Sequence, residues 1–135
     1  MGTLLTITAS VSILLLGLVY LIKPRFMGYH KTAIQKDWNE LVPEMQTLIL
    51  ALMRAVSGGW ISVAIACIIL QLQFNRSQQH WIALTILIMG GVAALGGLYA
   101  VLMVRTRTKG RPPILIPLLS FVMLLIGYFF NTLGS

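Results

Sequence analysis

Residues 37–60 read DWNELVPEMQTLILALMRAVSGGW, and this stretch decides how the whole chain is read. It holds all three acidic residues, Asp37, Glu40 and Glu44, followed by an apolar run that carries one charge, Arg54. A polar, Trp-containing segment thus passes through Pro43 directly into a long hydrophobic segment. That is the pattern of a chain lying at a membrane surface and then entering the bilayer.

The rest of the sequence agrees. Of its 135 residues, 58% are hydrophobic and only 10% charged, with a mean hydropathy of +0.89. A soluble domain carries about 25% charged residues. There is too little polar surface here to cover a water-soluble globule. Four uncharged or nearly uncharged segments stand out, at about 4–22, 48–72, 81–104 and 114–130. About twenty apolar residues in a helix cross the hydrocarbon core of a bilayer. The first segment lacks a preceding basic residue and a small-residue cleavage site, and it ends at Lys23-Pro24-Arg25, so it reads as a span and not as a signal peptide. The expected fold is all-α: an integral membrane four-helix bundle forming one domain.

Between the first two spans, Ile34, Trp38, Leu41 and Val42 follow helical spacing, with Lys36, Asp37, Asn39 and Glu40 on the other positions. This predicts a short amphipathic helix over about 32–42, lying at the interface with Trp38 at headgroup level. Pro43 ends it and opens the next helix, since proline suits a first helical turn.

The net charge is +7 and the pI about 10.2. There is no basic–aromatic module of the kind that binds nucleic acid. The basic residues flank the spans instead. Lys23, Arg25, Lys31 and Lys36 lie in the first loop, and Arg105, Arg107, Lys109 and Arg111 in the third, against Arg76 alone in the second. The positive-inside bias then puts loops one and three in the cytoplasm and both termini outside.

Arg54 lies six residues past Leu48, or about 9 Å into its span. A charge there snorkels to the surface or finds a partner. Glu44 is about 80° away around the helix and about 15 Å along it, so Asp37 or Glu40 is the expected partner. Arg54, Asp37, Glu40, Trp38, Gly58 and Trp60 are therefore the candidate ligand-binding residues, around a pocket near the cytoplasmic side. Ser57-Gly58-Gly59 suggests a close helix approach or a bend. Asp37 and Glu40, three apart, could also act as acid and base. Glu44 suits the dipole of a first helical turn.

The third span carries Gly90, Gly91, Ala93, Ala94, Gly96 and Gly97. Gly90–Ala94 and Ala93–Gly97 are small-xxx-small pairs, which pack helices closely. They serve packing within the chain or a homo-oligomer through Gly90, Ala94 and Gly97. The lone Cys67 reads as a packing residue. His30 and His80 fall on opposite sides of the membrane, no metal-ligand spacing is present, and no phosphate-binding or nucleophile motif occurs. No cofactor and no metal site is expected.

The run FMGYH at 26–30, with Trp38, Glu40-Leu41, Pro43, Gln46 and LILALMRAVSGG at 48–59, resembles a pattern in small bacterial four-span membrane proteins of uncharacterised function. The resemblance covers about the first half of the chain, implies a bacterial inner-membrane location, and brings no activity. In size and span count the chain is also similar to DoxX-like proteins, in architecture only. Three functions are in view: binding or transport of a small amphipathic or anionic molecule such as a lipid, a non-catalytic partner subunit packing through the third span, and a small enzyme using Asp37 or Glu40.

Overall fold

A computed structural model of the chain describes residues 1–133. It is all-α: α1 (Gly2–Ile22), α2 (Gly28–Ile34), a 3-10 turn (Trp38–Glu40), α3 (Pro43–Ser77), α4 (His80–Arg107) and α5 (Leu115–Leu133). The long helices α1, α3, α4 and α5 are each apolar enough and long enough to cross a membrane. Only 22–28% of each apolar window is buried within the chain. Large side chains such as Leu15, Leu52, Ile69, Val92 and Phe129 stay exposed. Water is a poor solvent for such a surface, and the chain is a membrane protein.

Four of the helix boundaries have a local cause. Lys23 precedes Pro24, which disfavours the helical conformation, and its ψ of 124° ends α1. Pro43 stands in the first turn of α3, where its missing N–H costs nothing. Gln78 takes the left-handed conformation, φ 53°, and donates its N–H to Phe74 O, closing α3. α5 starts just before Pro117, so that proline sits in a first turn and breaks no helical bond.

The single helix expected over 32–42 is replaced by two shorter elements. α2 begins earlier, at Gly28, and stops where Gln35 turns left-handed at φ 56°. The chain then turns at Asp37, whose N–H donates to Glu40 Oε2 at 2.7 Å. Gln46 fixes this turn to the start of α3 by donating from Nε2 to Trp38 O (2.8 Å) and Leu41 O (3.1 Å).

α1 packs against α3 and α5, and α4 packs against the same two helices. Glycines set the closest approaches. A Cβ on Gly127 would lie 3.2 Å from Gly2 O, and one on Gly17 would lie 3.3 Å from Ser57 O. Of the cluster Ser57-Gly58-Gly59, the close approach is made by Ser57 alone: α3 is helical through both glycines, and both look into open space. Ser57 is fully buried. Gly90 meets Leu124 and Cys67, and Ala94 is buried. Gly90 and Ala94, on the small-residue face of α4, thus pack within the chain, while Gly96 looks into open space.

At the end of α1 that carries Gly2, a polar network joins three helices. Gln71, with no exposed surface, donates to Thr3 Oγ1 (3.3 Å) and Asn75 Oδ1 (3.0 Å) and accepts from Asn131 Nδ2 (3.1 Å). Such interhelical bonds in a bilayer average about 0.6 kcal/mol each. The network orients α1, α3 and α5 and is internally satisfied.

Candidate ligand crevice

The site begins with Arg54. Its guanidinium does not meet an acid. Nη1 donates to Tyr20 O (2.5 Å) and Nη2 to Lys23 O (2.8 Å), the carbonyls that the end of α1 leaves without helical partners. The charge also opposes the negative end of the α1 dipole. The expected pairing with Asp37 or Glu40 fails because both acids have local partners. Asp37 pairs with Lys31 (2.5 Å), the one ion pair among the described residues, and Glu40 accepts from the Asp37 main chain. Both acids are exposed, beside Lys31 and Lys109 in a shallow polar depression. The Asp37 bond holds the Lys31 ammonium above its ordinary pKa.

By fixing the end of α1, Arg54 fixes Tyr20. The Tyr20 and Tyr29 hydroxyls hydrogen-bond to each other, joining α1 to α2. Around them lies an aromatic cluster of edge-to-face pairs: Tyr20–Trp60 at 5.3 Å, Tyr29–His30 at 4.4 Å, and Phe26–Trp38 at 5.1 Å between centroids. His30 Nδ1 accepts the Met27 N–H at 3.2 Å, which places the ring proton on Nε2. Burial pushes the Tyr29 hydroxyl upward in pKa, reinforced by its bond to Tyr20. Gly110 wedges the α4–α5 loop against this cap, since a Cβ there would sit 2.8 Å from Tyr29 O.

Burial lowers the pKa of His30. A base whose folded pKa lies below its unfolded value stabilises the fold fully only above the unfolded pKa. That contribution is lost as pH falls through the folded value. Protonation also removes the Nδ1 acceptor. Hydrogen exchange over 28–34, corrected for intrinsic rates, should therefore be faster at about pH 5 than at about pH 7.5. Equal protection at both would show that His30 does not hold α2 down.

Beneath the aromatic cap is a cavity of about 50 Å³. Its walls are Ile13, Leu16 and Tyr20 of α1, Trp60 of α3, Ala94, Gly97 and Val101 of α4, and Pro113, Ile116, Pro117 and Ser120 of α5 and the loop before it. From Ala93 to Val101 the cavity runs about 12 Å along α4. Its lining is apolar apart from the tyrosines at one end and Ser120 at the other. Arg54, Asp37 and Glu40 are not among its walls.

Of the residues singled out from sequence, then, Trp60 lines the cavity and Arg54 supports it from behind. Trp38 belongs to the cap through Phe26. Asp37 and Glu40 lie on the surface, and Gly58 faces open space. Tyr20, Tyr29, Gly97 and Ser120 complete the crevice, and His30 belongs to the cap above it. Among the described residues no group of three or more His, Cys, Asp or Glu side chains could hold a metal.

No protein-family model matches the chain, and neither the curated proteins nor the solved structures contain a significant match.

Proposed function

We propose that this is an integral membrane protein that binds a small, uncharged amphipathic molecule in the crevice beneath the Tyr20–Tyr29 pair. In this reading α1, α3, α4 and α5 form a four-helix bundle. α2 and the 3-10 turn lie at the cytoplasmic interface of a bacterial inner membrane, and both termini face outside. The observation that carries it is the cavity itself: apolar walls inside the span, an indole along one side, and hydroxyls at the two ends. Apolar pockets with a few placed polar groups are the usual form of small-molecule sites. An anionic ligand fits less well, because the one intramembrane cation is engaged by two carbonyls and does not line the cavity. An acid–base enzyme has no acid at the cavity to use.

The test uses Trp60 as the reporter. With Trp38→Phe and Trp81→Phe in phosphatidylcholine nanodiscs, Trp60 emission should be quenched saturably by a monoacylglycerol bearing bromine on its glycerol head. Chain-brominated phosphatidylcholine at equal mole fraction should quench less. Quenching that only rises in proportion to the probe would refute the binding site.

A further inference from the structure

Ser120 is the polar group that the fold leaves unused. Serines and threonines in these helices regularly close onto the carbonyl one turn back: Ser10 to Thr6 O, Ser12 to Thr8 O, Ser62 to Gly58 O and Thr85 to Trp81 O, all within 2.8–2.9 Å. Ser120 does not. It is 2% exposed, and its Oγ is the buried side-chain oxygen or nitrogen left without a partner among the described residues. A buried hydroxyl with no partner is unfavourable, and this one lines the cavity.

Ser120 also lines a second space. On the other side of Leu16 and Ile116, an open apolar groove runs between α1 and α5, walled by Leu15, Val19, Leu119 and Met123. The two helices come close at Gly2 and Gly127, where backbone meets backbone, and the groove lies further along, between residues 12–19 and 115–123. The groove faces outward, toward lipid. The cavity, at about 50 Å³, is smaller than the groove, at about 370 Å³. The cavity holds a head group of a few heavy atoms and not a chain.

We infer that the ligand is a single-chain lipid with a small, uncharged hydroxyl or carbonyl head, which hydrogen-bonds Ser120 while its chain lies in the α1–α5 groove. This rests on the binding function proposed above and assigns the head-group anchor and the route of entry from the bilayer. The head must be uncharged because Ser120 lies five residues into α5, about 7.5 Å along the helix from its start, where a phosphate or carboxylate without a counter-ion is costly. Leu16 and Ile116 line both spaces and form the partition that the ligand straddles.

The Trp60 quenching assay with the head-brominated monoacylglycerol separates the claims. Ser120→Ala should keep or slightly raise thermal stability, because it removes an unpartnered hydroxyl, while weakening probe binding about three- to ten-fold, the net worth of one hydrogen bond. Ser12→Phe, which fills the groove from α1, should weaken binding by obstructing the chain. The same brominated head on a butyryl chain should bind poorly to the unaltered protein. If wild-type quenching saturates but Ser120→Ala binds equally well, the anchor is overturned and the binding function stands. If Ser12→Phe and the butyryl probe behave like the controls, the chain position is overturned. If wild-type quenching does not saturate, the binding function itself has failed.

Discussion

Arg54→Ala is expected to destabilise the protein by about 2–4 kcal/mol, since each hydrogen bond from a charged donor contributes about 1.5–3 kcal/mol and the site is partly exposed. Two acceptors are lost together. Tyr20 O and Lys23 O lie at the end of α1, where Arg54 is partly buried and water does not fully replace the lost donors. The favourable charge at the negative end of α1 is lost too. Arg54→Lys should recover only part of the stability. A single ammonium lacks the planar fork that reaches two carbonyls three residues apart. Unfolding in detergent followed by circular dichroism gives the stability. Hydrogen exchange over residues 20–25 locates the loss. Were Arg54 a lipid-facing anchor and not a cap, Arg54→Lys would behave like the wild type and exchange at 20–25 would not change.

Gly127→Leu should be strongly disruptive to the contact between α1 and α5. A Cβ at this position would already lie 2.7 Å from Thr6 Oγ1, 3.2 Å from Gly2 O and 3.4 Å from Thr6 N. Backbone cannot move aside as a flexible side chain can. α1 and α5 must separate, and the separation pulls Asn131 from Gln71. Overpacking costs about 1–3 kcal/mol, and the broken interhelical bond adds about 0.6 kcal/mol. Gly127→Ala should fall between Leu and wild type. Leu at Gly58, which has no neighbour within 4 Å of its Cβ position, should leave stability nearly unchanged. Equal melting of the Gly127 and Gly58 variants would contradict the packing described here.

The spans were legible because long uncharged apolar runs have one physical solution in a bilayer. Their ends were legible where proline stops or opens a helix, as at Pro24 and Pro43, and not where a left-handed residue does so, as at Gln78, where a polar end continues the helix of an apolar run to Ser77. The partner of Arg54 was not legible. Its depth followed from counting residues, but its acceptors are main-chain carbonyls, which every residue carries and no side-chain pattern marks. The hint lay in Lys23-Pro24, which ends α1 and leaves its last carbonyls open. The spacing at 32–42 did not become one helix. It broke at Gln35 because local bonds to Asp37 and Gln46 held a turn where periodicity suggested a helix. Within the site, Trp60 was named for its place in the same span as Arg54. Ser120 was hidden because one serine in an apolar span is unremarkable until its helix position leaves the hydroxyl facing a void. The glycines of α4 were visible as a close-packing face, and only the contacts of Gly90 with Leu124 and of Gly97 with Trp60 and Pro117 assign those two residues to packing within the chain.

The most direct measurement is Trp60 quenching in the Trp38→Phe/Trp81→Phe protein with and without Gly97→Leu. A Cβ at Gly97 would make ordinary contacts, 3.7 Å from Trp60 Cζ2 and from Pro117, so the fold accepts it. The remainder of the leucine side chain fills the crevice. The expected result is saturable quenching by the head-brominated monoacylglycerol that is lost in Gly97→Leu while melting is retained. Saturable quenching that persists undiminished in a folded Gly97→Leu protein would place the ligand elsewhere and contradict the crevice as the binding site.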